Sequence, residues 1–150
     1  MIGAPGARSH SGTVVLGLTG GIGMGKTWAA TAFRHFGVPV FDSDKAVHKL
    51  LGVGGGAVDA VLKKFPDAGV NSKTNLAIDR NKLGNVVFKD AKKLRTLESI
   101  LHPLVENLQK NFIAHHARRR TRLVVLDIPL LFETGGETKT DFVVCVYAPK

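Results

Sequence analysis

The sequence predicts an α/β fold built on a parallel sheet, and three observations lead there. Four short runs are apolar at successive positions, the pattern of strands covered on both faces. Stretches with helical periodicity lie between them. A glycine-rich loop, GGIGMGKT at residues 20–27, joins the first strand to the first helix.

The elements follow in order. Residues 1–12, MIGAPGARSHSG, lack the apolar core of a secretory leader and are expected to form a flexible tail. Residues 13–150 are expected to form one domain. TVVLGLT (13–19) is the first strand. KTWAATAFRHF (26–36) is a helix with Ala30, Phe33 and either Phe36 or Ala29 on one side; Gly37 closes it, because glycine accepts the left-handed turn that ends many helices. PVFD (39–42) is a short second strand. Asp44 to Leu51 and Ala57 to Phe65 are helical, separated by GVGGG. Ala91 to Ile100 and Leu104 to Arg118 are helical too, parted by His102-Pro103, since proline disrupts a helix interior. RLVVLDI (122–128) is the third strand, which Pro129 stops, and DFVVCVY (141–147) is the fourth.

Composition bounds the function. Hydrophobic residues make up 44% and charged residues 22%, an ordinary globular balance. No apolar run approaches a membrane span; LVVLDIPLLF is interrupted by Asp127 and Pro129. The single cysteine, Cys145, allows no disulfide within the chain and fits a reducing compartment, so a cytoplasmic location is expected. Twenty-one Lys and Arg against 12 Asp and Glu give a net charge of +9, which attracts polyanions such as nucleotides, phosphorylated metabolites or nucleic acid. HHARRRTR (115–122) is a dense basic run, but it reads as a solvated helix end favoured by the helix dipole. With one Trp and one Tyr, stacking platforms for single strands are scarce, and nucleic acid is not the expected partner. His10, His35, His48, His115 and His116 show no metal-ligand spacing.

The glycine loop carries the chemistry. Gly20, Gly25, Lys26 and Thr27 fit G-x-x-x-x-G-K-[ST], and the motif lies between a strand and a helix, the context a phosphate loop requires. Bare main-chain N–H groups converge on an anion, and the helix start adds partial positive charge. Gly20, Gly21, Ile22, Gly23, Met24, Gly25, Lys26, Thr27 and the backbone of Trp28 are therefore expected to hold a nucleoside triphosphate, with Lys26 on its β- and γ-phosphates and the Thr27 hydroxyl on Mg²⁺. Gly21, Gly23 and Gly25 are spaced G-x-G-x-G, so the dinucleotide fingerprint is not met. TKTD (138–141) precedes a strand instead of following one, so it is discounted as a guanine-reading motif. Asp42 and Asp44, just past the second strand, belong on the rim where strand carboxyl ends carry ligands. One of them could take a proton from an attacking hydroxyl, or the pair could be a helix cap and a first-turn acid. Asp127, ending the third strand, is either a metal-holding carboxylate or a structural one.

Five collinear segments resemble one family, the dephospho-CoA kinases: GLTGGIGMGKT (17–27), VPVFDSDKAVH (38–48), IDRNKLGNVVF (78–88), LESILHPLV (97–105) and LDIPLLFETG (126–135). The resemblance implies a three-layer α/β/α P-loop kinase fold whose parallel sheet runs 2-3-1-4, followed in the family by a fifth strand. It implies transfer of the ATP γ-phosphoryl group, with Mg²⁺, to the ribose 3′-hydroxyl of dephospho-CoA. By resemblance, Asp44 is the acceptor-side carboxylate and general base, Lys26 and the loop hold ATP, and Asp42, Arg80 and His102 line or support the acceptor region. Thr27 and Asp127 stand at the metal positions.

The chain also departs from the family. Trp28 stands where the family usually has a second hydroxyl that helps hold the α-phosphate. Family members continue past the equivalent of Lys150 through a lid with arginines and the fifth strand, so a truncated product of impaired activity is expected. Residues 141–147 would then be an apolar edge open to self-association. A P-loop kinase for another small-molecule hydroxyl, and a non-catalytic nucleotide-binding remnant, are the alternatives.

Overall fold

A computed structural model describes residues 12–21, 23–70, 76–128 and 135–148. The expected tail, apart from Gly12, lies outside the described residues, as do Ile22 and the end of the LDIPLLFETG segment from Pro129 to Thr134. The chain forms two compact units: Met1–Ser43 with Gln109–Lys150, and Asp44–Leu108.

The first unit holds strands β1 (Val14–Gly20), β2 (Val40–Asp42), β5 (Leu123–Asp127) and β6 (Phe142–Val146), and helix α1 (Lys26–His35). The sheet order is β2-β5-β1-β6 and every pairing is parallel. Numbered among themselves, these strands run 2-3-1-4 as expected. Because side chains alternate along a strand, each strand feeds both faces. Leu18 and Val125 pack with Ala30, Ala29 and Phe33 of α1 on one face. Val15, Val124 and Leu126 pack with Phe112 and Ile113 on the other. The sheet is thus the middle of three layers. Of the two candidates for the inner face of α1, Ala29 is packed and Phe36 is 81% exposed. Gly37 has φ 76° and ends α1 as expected.

The second unit holds α2 (Ser43–Leu51, of which Ser43 lies in the first unit), α3 (Val58–Lys64), a 3-10 turn at Pro66–Ala68 and α4 (Arg80–Val87). Its core gathers Leu50, Val58, Val61, Phe65, Leu83 and Val87 with Leu97. A two-stranded antiparallel pair, β3 (Gly69–Val70) and β4 (Ala77–Ile78), was not anticipated, because two-residue strands show no periodicity.

One expectation is corrected. Ala91 to Ile100 and Leu104 to Arg118 are not two helices. Helix α5 runs unbroken over Ala91–Arg118 with Pro103 inside it. Leu94, Leu97, Leu101, Leu104, Val105 and Leu108 keep a spacing of three to four residues through the proline, and all join the second unit's core. An interior proline costs about 3 kcal/mol. Leu97 is buried and the other five are partly buried; their combined apolar burial, at roughly 25 cal/mol per Å², outweighs that.

Candidate functional site

The phosphate loop begins where β1 ends. Gly20 sits opposite Val146 of β6, and a Cβ there would lie 2.8 Å from the Val146 carbonyl oxygen, so no side chain fits. Gly25 takes the left-handed conformation, φ 92° and ψ 13°, immediately before α1. A residue with a Cβ would be strained there. Between them, Met24 N–H donates to the Gly21 carbonyl at 3.2 Å, which turns the chain.

The start of α1 differs from that of α4. Asp79 caps α4, its carboxylate accepting from Asn81 and Lys82 N–H. No side chain caps α1 among the described residues, and its first turn has no acid. The amides and the positive dipole end of α1 therefore remain available to an anion.

Strand alternation puts Lys26 and Asp127 together. Asp127 has the parity of Val125, which faces α1, and it lies level with Leu18 on β1 and Asp42 on β2. Lys26 Nζ meets Asp127 Oδ1 at 2.5 Å. Asp42 shares that face, 3.8 Å from Arg34 Nη2 of α1. So Lys26, Asp127 and Asp42 gather beyond the carboxyl ends of adjacent strands, beside the loop and Thr27. The exposed Thr27 offers a hydroxyl and the buried Asp127 a carboxylate, the hard oxygen donors that Mg²⁺ takes alongside phosphate oxygens. Asp141, the acid of TKTD, is structural: its carboxylate accepts from Val15 N–H at 2.8 Å.

Asp44, Arg80 and His102 belong to the second unit. Asp44 is an exposed acid in the first turn of α2, Arg80 opens α4, and His102 is exposed on α5. His48, whose spacing to other histidines gives no sign of a metal site, pairs with Arg80: its Nδ1 lies 2.9 Å from Arg80 Nη1. A guanidinium can only donate, so Nδ1 accepts and the ring proton sits on Nε2. His48 follows Asp44 by four residues, one helical turn, so the two share a face of α2. That spacing was the signal available in the sequence.

The family model for dephospho-CoA kinase matches residues 14–150. The chain belongs to the dephospho-CoA kinase family. Among curated dephospho-CoA kinases, that of Paramagnetospirillum magneticum is 53% identical over 135 residues, covering 90% of this chain and 62% of its own length. That of Rhodospirillum rubrum is 48% identical over 136 residues, covering 91% and 63%. The chain therefore spans less than two thirds of these dephospho-CoA kinases. A crystal structure of a Thermus thermophilus protein superposes with a TM-score of 0.76 at 34% identity, covering 91% of this chain and 66% of that one. The dephospho-CoA kinase of Campylobacter jejuni, at 22% identity, shares the fold with a TM-score of 0.68 over 92% of this chain and 67% of its own.

Proposed function

We propose that residues 13–150 are the nucleotide- and acceptor-binding part of a dephospho-CoA kinase, which transfers the γ-phosphoryl group of ATP to the ribose 3′-hydroxyl of dephospho-CoA. The observation that carries this is the uncapped glycine loop before α1, with Lys26 beside Asp127, in a chain that the family model matches from residue 14 to residue 150. In the transfer, the 3′-oxygen bonds to the γ-phosphorus, the bond to the β–γ bridging oxygen breaks, ADP leaves, and the hydroxyl proton passes to a carboxylate. Asp44 is that base. The amides of residues 20–28 and the Lys26 ammonium hold the triphosphate tail, exchanging the Asp127 ion pair for phosphate oxygens. Thr27 and Asp127 would hold Mg²⁺, which when bound neutralises charge on the phosphates. Asp42, Arg80 and His102 serve the acceptor, with His48 holding Arg80 in place. No helix among the described residues is long and apolar enough to cross a membrane. A cytoplasmic location goes with this function.

The test is ADP release with ATP, Mg²⁺ and dephospho-CoA, run on this chain and on a version extended by the remaining segment of a relative. Dephospho-CoA-dependent turnover that rises in the extended chain and is lost in Asp44→Asn supports the proposal. An extended chain that binds both ligands and stays inert refutes it.

A further inference from the structure

Trp28 is the chain's single tryptophan, and the residue is 78% exposed. It lies in the first turn of α1, one residue past Thr27. The inner face of that helix is Ala29, Ala30 and Phe33, so the indole stands on the outer side. An indole offers one of the largest apolar surfaces of any side chain, and burial would reward it. Here that surface is in water at the lip of the phosphate loop. Helical Cα–Cβ bonds tilt toward the N-terminus, so a first-turn side chain leans over the helix start, where the loop amides gather.

We infer that Trp28 is the nucleobase platform of the donor site: its indole face stacks on the base of the nucleotide whose phosphates the loop holds. The inference rests on the phosphate-loop reading above and deepens it. The loop and Lys26 bind the triphosphate, which every nucleotide shares, and Trp28 adds the part of the affinity that depends on a base.

Two ligands separate the roles: ATP, and inorganic tripolyphosphate, which has the tail without the base. Trp28 emission reports directly, since no other tryptophan contributes. With Mg²⁺ present, ATP should quench it and tripolyphosphate should leave it nearly unchanged while still binding by calorimetry. Trp28→Ala should weaken ATP about tenfold and tripolyphosphate by less than about twofold, while Trp28→Phe should keep most of the ATP affinity. Binding of both ligands to the parent, with Trp28→Ala weakening both equally or neither, overturns the platform alone. If the parent binds neither ligand, the phosphate-loop reading falls first and the platform with it.

Discussion

Arg120 and Gly37 occupy the same place in two copies of one helix ending. After α1, Gly37 N–H donates to the Arg34 carbonyl and Val38 N–H to that of Phe33. After α5, Arg120 N–H donates to Ala117 and Thr121 N–H to His116. Both central residues are left-handed, φ 76° for Gly37 and 55° for Arg120. Only the glycine is free of a Cβ clash, so Arg120→Gly should raise stability by about 0.5–1 kcal/mol in urea unfolding. Asp141→Ala should act the other way: it strands the N–H of fully buried Val15, costing about 1–3 kcal/mol. The placement of the loop residues, Lys26 and Thr27 at a helix start and of Asp127 at a strand end was readable in the sequence, because it depends on order along the chain. The partnership of His48 with Arg80 was not, because it joins residues 32 apart through folding.

At the scale of the element, α5 shows two local rules in conflict. The proline rule reads a break after His102, and the apolar stripe reads one helix. The stripe wins because it packs into the core of the second unit. Pro103→Ala should therefore stabilise the protein by about 1–3 kcal/mol, seen as a higher melting temperature. The end of α5 also carries a pH response. His116 packs on Phe112 and His115, with ring centroids 4.6 Å and 5.0 Å away. Burial first, then His115 and Arg119, lowers its pKa below the usual histidine value. The folded state thus favours the neutral ring, and its contribution is full above the unfolded pKa and lost as pH falls through the folded one. His116→Asn should flatten the fall in stability on the acid side of the ordinary histidine pKa, measured by urea unfolding across pH. Strand β6 lies at the edge of the described sheet with Phe142 partly exposed. Concentration-dependent association in sedimentation, reduced by Phe142→Lys, is the expected outcome.

Across the whole molecule, the alternation of apolar runs with helical stretches was enough to read a parallel α/β sheet. The strand order was not in those runs; it came with the family resemblance, since periodicity says which face a residue takes and not which strand is its neighbour. The division into Asp44–Leu108 and the remainder had no signature either, because no linker composition marks it and α5 contributes to both units. On this reading the amides of residues 20–27 and the Lys26 ammonium cradle a triphosphate. Calorimetry of ATP with Mg²⁺ tests it most directly, on the parent and on Lys26→Ala, with the fold of each checked by circular dichroism. The parent should give saturable heat and the variant an affinity about 10- to 100-fold weaker, the worth of one charged hydrogen-bonding group. Absence of saturable binding in the parent, or equal binding in a folded Lys26→Ala, would contradict it.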